Sequence, residues 1–488
     1  MIFRLTILIY ILFLYEQCFS QTPHERYEEF RRAAVQDYSS FRNQCNREYV
    51  EFLKSAWDWY EGKDPIEAPI EPNPVPPRPY SEPKPQENNK EGVIEYNPTV
   101  IDPILEDKPP LPIEPIHEIP ILQENYFTTD FYGITCKVRF PDFIKNIVNE
   151  ELTESLAKGW EILSSSELNN AIRDCLEIRI KYRLCDWAYL RMLDNLSKNF
   201  CNNDNSATLL MAYLFSQSGY QMRLANDNGR LLMLFSSRHQ IYNQPYFVID
   251  NTSFYPYGNV SKRVNICQGS FQGEQPLSMT IPNDQKIGSE LSEVRNIQSE
   301  RYKELKGKSQ VYKELIEFYN TFPTSEVDGN FMTRWAMYAN TPLSQKTREI
   351  LYPSLRKSIE NKNKIEAAEI LLNWVQTGFV YEYDDKVWGH DRAFFAEESL
   401  YYPYADCEDR SILFSRLVRD LLGLDVALIY YPGHLATAVK FDTEVQGDAM
   451  IIDGNRYIVC DPTYIGAPVG VQMPDLEYEK TKAIILTR

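Results

Sequence analysis

Sixteen of the chain's thirty prolines fall between Pro65 and Pro120, interleaved with Glu, Asn and Lys. Proline fixes φ and lacks an N–H, so such a run supports neither a helix interior nor a central strand. Residues 63–124 therefore read as an extended, polyproline-like tether. Pro109 to Leu122 alternates Ile and Leu with Pro, a pattern that also suits a segment laid along a domain surface. The tether divides a 488-residue chain whose length suggests about three domains.

Before the tether come two segments. Arg4 precedes an apolar run from Leu5 to Tyr15, and Cys18-Phe19-Ser20 offers small residues where a signal peptidase reads. Residues 1–20 thus read as a secretory signal cleaved after Ser20, and the run is too short to span a bilayer. Export to a periplasm, cell envelope or extracellular space follows, and disulfides are permitted there. Of nine cysteines, loss of Cys18 leaves eight without a C-x-x-C pair, so buried thiols are expected. From His24 to Tyr60, Tyr27, Phe30, Ala34, Tyr38, Phe41, Cys45, Tyr49 and Phe52 recur at steps of three and four. Residues 21–62 are therefore an amphipathic helix that packs on its own chain or, alternatively, mediates partner binding or self-association. A formal charge of −18 argues against nucleic acid and anionic membrane surfaces as partners.

Chemistry concentrates near the C-terminus. In Tyr401-Tyr402-Pro403-Tyr404-Ala405-Asp406-Cys407-Glu408-Asp409-Arg410-Ser411, an aromatic loop gives way to Ile412, Leu413, Leu417, Leu421 and Leu422 at helical spacing. Cys407 at a helix start faces unpaired backbone N–H groups, which favour a thiolate. Asp425 to Tyr431 reads as a strand, Pro432-Gly433 as a turn, and His434 opens a second strand. Arg456 to Cys460 reads as a strand ending at Asp461. Cys407, His434 and Asp461 supply a nucleophile, a base and an orienting acid. Asp461 also suits a cap on the turn into Pro462. Of five histidines, His390 and His434 alone lie in this stretch, and His390 reads as solvent-facing.

Ala405-Asp406-Cys407-Glu408-Asp409-Arg410-Ser411, Gly433-His434-Leu435-Ala436-Thr437-Ala438 and Cys460-Asp461-Pro462-Thr463-Tyr464 resemble the transglutaminase-like superfamily, over roughly Ile365 to Val471. The resemblance implies an α+β, papain-like fold, in which a helix bearing the cysteine packs on an antiparallel sheet, for residues 353–488. The chain departs from many members at Ala405, where Gly is usual, and at Leu435-Ala436, where Ala-Trp is. The resemblance thus implies a fold and a thiol mechanism, and it leaves the reaction open between peptidase or deamidase and cross-linking transferase. A non-catalytic binding or scaffold protein of the envelope is the alternative of another class.

In the mechanism, His434 holds the proton of Cys407, the thiolate attacks an amide of a protein or peptide substrate, and a thioester is resolved by water or an amine. The Cys407 N–H is the natural oxyanion donor. Trp388 is a candidate second donor or a hydrophobic lid. Tyr404, with Phe394, Phe395, Tyr401, Tyr402 and Tyr431, is core or lines a substrate groove. No sequence signature for a cofactor or metal appears.

Residues 125–259 read as an α/β domain and as an inactive repeat of the same fold. Ser166 to Leu196 and Ser206 to Ser218 are helical, and Tyr220 to Leu224 and Leu231 to Phe235 are strands. Asn203-Asp204-Asn205 aligns with Cys407-Glu408-Asp409, Gly219 with Gly423, and Asp250-Asn251-Thr252 with Asp461-Pro462-Thr463, with His239 near the place of His434. Asn203 cannot form a thiolate. Residues 260–352 read as a connector, strand-like over Gly269 to Ile281 and helical over Val294 to Tyr319.

Overall fold

The structure, a computed structural model, describes residues 23–69, 74–81, 94–103, 111, 125–148 and 152–487. The proposed signal segment lies outside these residues, as does all of Pro109 to Leu122 except Leu111. The described residues are α+β, with two large sheets, of six and seven strands, each fed by a helix.

The C-terminal sheet follows helix Cys407–Leu422, which Gly423 stops in the left-handed conformation at φ 65°. Its strands run Asp425–Tyr431, His434–Lys440, Ala449–Ile452, Asn455–Cys460 and Lys482–Ile485. Pro432-Gly433 closes the first hairpin, with Tyr431 paired to His434 and Gly433 at φ 79°. The spatial order is third, fourth, second, first, fifth, antiparallel throughout. Both faces are covered, which is why Asp425–Tyr431 carries an almost unbroken apolar run. Val426, Leu428, Leu435 and Val439 meet Ile412, Leu413 and Leu417 of the helix. Ala427, Ile429, Tyr431 and Ala436 meet Tyr464, Met473 and Leu476, with Val75, Tyr80 and Tyr96 from the proline-rich segment.

That last contact corrects the tether reading for the described residues. Glu95–Tyr96 adds in parallel to Ala449–Ile452 at one edge, and Thr99–Ile101 adds in parallel to Lys482–Ile485 at the other. Only Asn97 and Pro98 separate the two additions, so the segment curls the sheet until its edges nearly meet. Further upstream, Lys63 bridges Tyr246, Val75 N donates to Gly433 O at 2.8 Å, and Tyr80 N donates to Ile465 O at 2.8 Å. The aliphatic and aromatic residues between the prolines bury apolar surface and pair edge carbonyls, which outweighs the stiffness that proline imposes.

The upstream sheet has the same plan. Helix Asp204–Gln217 leads to Met222–Asp227, Arg230–Ser236, Phe247–Ile249, Thr252–Pro256 and Arg263–Ile266. These strands again run third, fourth, second, first, fifth, all antiparallel, with Asp58–Glu61 added beyond the fifth. Asn228-Gly229 makes the first hairpin, closed by Asp227 against Arg230. The repeated topology supports duplication, but the expected alignment shifts. Asn203 caps its helix by accepting from Ser206 N at 2.8 Å, so it matches the cap Asp406 and not Cys407. Asp204 takes the thiol's place, and Arg230, first in its strand, takes that of His434. Asp250-Asn251 is the turn before the fourth strand, matching Asp453-Gly454, and Tyr257 follows that strand as Asp461 follows its own. His239 lies beyond the second strand. The cap and the hairpin register, which fix this alignment, are properties of the folded chain and not of matching letters.

The N-terminal helix is one piece, Pro23–Lys54, and its register also differs from expectation. Arg42, Asn46, Tyr49, Val50 and Leu53 are buried, whereas Phe41 and Phe52 are exposed. Polar partners reward the inward polar residues: Trp160 Nε1 donates to Asn46 Oδ1 at 2.9 Å, and Asn46 Nδ2 to Gln217 Oε1 at 3.1 Å. Tyr49 stacks on Phe271 at 4.8 Å and tilts against Trp160 at 4.4 Å, and those two rings also meet, at 6.1 Å. The region 260–352 is no loose connector. Arg263–Ile266 belongs to the upstream sheet, Arg295–Gln298 and Lys306–Ser309 form a hairpin where helix was expected, and helix Met332–Asn340 packs on Cys407–Leu422. Gly269 to Ile281 forms isolated bridges at Gln275 and Leu277. Among the described residues, no helix is long and apolar enough to cross a membrane.

Candidate active site

Cys407 is the first residue of its helix. Asp406 caps it by accepting from Asp409 N at 3.4 Å, and Asp409 Oδ2 accepts from Asp406 N at 3.3 Å. The first turn is buried, although it is nearly all polar, because each side chain has a fixed partner. Asp409 Oδ1 accepts from Phe394 N at 2.8 Å. Ser411 Oγ donates to Leu435 O at 2.9 Å, tying this helix to the strand that carries His434. Arg410 Nε donates to Ala405 O at 3.1 Å, Nη1 to Gln376 O at 2.9 Å and Nη2 to Phe379 O at 2.8 Å.

His434 and Asp461 are each about 1% exposed, and His434 Nε2 lies 2.8 Å from Asp461 Oδ2. Asp461 Oδ1 accepts from Thr463 N at 2.8 Å and Tyr464 N at 3.2 Å. The turn-capping and orienting roles of Asp461 therefore coexist on its two oxygens. With Nε2 occupied, Nδ1 is the nitrogen left over, and it is buried without a hydrogen-bond partner among the described residues.

Cys407 lies on the helix that Ser411 ties to the strand opened by His434, and the Leu435 N–H of that strand acts on the thiol. The thiol itself donates to Glu408 Oε2 at 3.0 Å. Burial, then Glu408 and Asp406, push the Cys407 thiol well up, and the Leu435 N–H opposes them only in part. This corrects the expected helix-start thiolate: desolvation and two adjacent carboxylates outweigh the helix-terminal field.

Cys407 opens onto a cavity of about 790 Å³. Its wall includes Asp384, Asp391, Asp406 and Glu408, with Arg334, and Glu67 to Pro69 and Pro74 of the proline-rich segment. Arg334 is 2% exposed and its Nη1 lies 2.7 Å from Asp391 Oδ2. Burial first, then Glu408 and Asp391, push the Asp384 carboxyl up to about 8, against the Arg392 N–H and Arg334. Asp406, Cys407 and Glu408, and separately Asp384, Asp391 and Glu408, hold ligand-type atoms within 4.8 Å of one another. Arg334 already supplies positive charge to the second set.

Two weaker candidates sit elsewhere. Trp388 packs edge-on against Tyr402 at 5.0 Å and Phe394 at 5.8 Å, with the Arg392 guanidinium 4.4 Å above its ring. Tyr404 is 38% exposed and bridges Val380. Neither lines the cavity, and exposed His390 does. Sequence reasoning missed Arg334, Asp384, Asp391 and Gln376, none of which lies in a motif. The eight described cysteines are all free. Compared with family models, curated proteins and solved structures, the chain has no match.

Proposed function

We propose that the chain is an exported, thiol-dependent amide hydrolase, a peptidase or deamidase, with a papain-like site of the transglutaminase-like type. The observation that carries this reading is the buried His434–Asp461 pair, 2.8 Å apart, with His434 on a strand tied by Ser411 to the helix that Cys407 opens at a cavity. The thiol turns from Glu408 to the unpartnered Nδ1 of His434 and gives up its proton. The thiolate attacks the carbonyl carbon of a peptide or side-chain amide. The Cys407 N–H, which has no intrahelical partner, stabilises the oxyanion. Imidazolium Nδ1 protonates the leaving amine or ammonia, and a thioester remains. Water, deprotonated by His434, hydrolyses it and restores the thiol. An amine in place of water would make the reaction a transamidation.

One observation favours a second reading, a non-catalytic scaffold. The thiol is buried, bonded to a carboxylate and pushed well up. A thiol-directed probe separates the two. Iodoacetamide labelling, mapped by peptide mass, is expected at Cys407 with a rate that falls at least tenfold in His434→Ala. Labelling of Cys407 that is indifferent to His434 would leave the scaffold reading.

A further inference from the structure

Helix Lys364–Gly378 ends beside the site, and one residue in its last turn reaches both catalytic loops. Gln376 is 1% exposed. Its Nε2 donates to Asp461 O at 3.0 Å, Tyr464 O at 2.8 Å and Ala467 O at 3.1 Å. Its Oε1 accepts from Gly466 N at 3.1 Å. The amide therefore holds the whole loop that follows Asp461, and two N–H groups serve three carbonyls. The Gln376 backbone oxygen accepts from Arg410 Nη1 at 2.9 Å, and Arg410 Nε grips Ala405 O, two residues before Cys407. Ala405 N in turn donates to Val380 O at 3.0 Å, just past the same helix.

We infer that Gln376 and Arg410 form a positioning clamp that sets the Asp461 loop and the Cys407 loop in one register, so that Asp461 holds His434 Nε2 while Nδ1 stays open for the Cys407 thiol to turn to. The inference rests on the thiol-enzyme reading of Cys407, His434 and Asp461. Gln376 touches no reacting atom and acts through Asp461. A planar amide suits this place because it donates and accepts in one plane, and the 461–467 turn presents carbonyls and an N–H together. The Arg410 fork is likewise matched to three carbonyls from two segments. A loop displaced by about 1 Å is enough to lose an aligned hydrogen bond between two buried side chains.

The test compares pH profiles of Cys407 alkylation by iodoacetamide, from pH 5 to pH 10, in the full chain. Asp461→Asn is the reference: loss of its carboxylate destabilises the imidazolium and moves the inflection to higher pH. Gln376→Leu keeps the volume and removes every side-chain bond, and its profile is expected to move the same way. A displacement of one pH unit would slow labelling about tenfold at pH 7. Trp374→Phe, on the same helix, removes the Nε1 bond to Ile297 O of the strand Arg295–Gln298; it is the packing control and should leave the inflection in place. Should Gln376→Leu fail to fold, Gln376→Glu, which keeps the acceptor for Gly466 and loses the donors, is read by the same criterion. A Gln376 variant that folds and keeps the wild-type inflection, while Asp461→Asn moves it, overturns the clamp. If Asp461→Asn itself leaves the profile unchanged, the thiol-enzyme reading fails instead.

Discussion

The acidic wall of the cleft gives the protein an unusual pH dependence. Asp384 is buried near Glu408 and Asp391, and its carboxyl is pushed up to about 8 from an unfolded value near 3.8. Between those values the folded chain holds a proton that the unfolded chain has released. The folded state binds more protons, so stability is full at low pH and declines as pH rises toward 8. One such proton is worth about 1.4 kcal/mol per pH unit, hence about 3 kcal/mol between pH 5 and pH 7. Buried Glu398, pushed up to about 7 by burial against the pull of Arg392, adds in the same direction. Asp384→Asn carries the neutral form permanently, and its Oδ1 still accepts the Arg392 N–H that Asp384 Oδ2 takes at 2.6 Å. The variant is expected to exceed wild type by under about 2 kcal/mol at pH 5 and by roughly 4 kcal/mol at pH 7, with a flatter slope. Urea unfolding at pH 5, 6, 7 and 8 reads this directly. Wild-type stability that rises with pH over this range, or a variant with an unchanged slope, refutes the account.

Three further outcomes follow from the same geometry. Val75→Pro deletes the N–H that holds the proline-rich segment on Gly433, next to His434, and should speed alkylation of Cys407 several-fold; an unchanged rate means the segment does not shield the thiol. Tyr49→Ala removes the ring that packs on both Trp160 and Phe271 and should cost about 3–5 kcal/mol in urea unfolding, whereas a loss below about 1 kcal/mol would mean the N-terminal helix is not docked. Arg230→Ala, which opens the second strand of the upstream sheet as His434 does in its own, should leave Cys407 alkylation unchanged, and a slowed rate would give that sheet a part in the site.

Much of this chain is legible without coordinates because the signals are local. Asp406 before Cys407 and Gly423 after Leu422 bound a helix by capping alone. Pro432-Gly433 between two apolar runs fixes a hairpin, and with it the place of His434. The order helix, strand, strand is readable twice, and the two sheets share one strand order.

Other features depend on segments far apart in sequence. Cap and ladder registers put Asp204 and Arg230, not Asn203 and His239, at the places that Cys407 and His434 hold in the other sheet, because pairing between strands is not a property of either strand. Asn46 and Arg42 turned inward and Phe41 and Phe52 outward because Gln217, Trp160 and Asn169 wait on the facing helices. The proline-rich segment found partners in two sheet edges that exist only once the sheet has formed. Most of all, a cysteine at a helix start reads as a thiolate when only its own helix is considered. Folding buried it with Glu408 and Asp406, near Asp384 and Asp391, and desolvation and like charge reversed the sign of the shift. Backbone preference is decided by neighbours in sequence; the ionisation of a buried side chain is decided by what the whole fold packs around it.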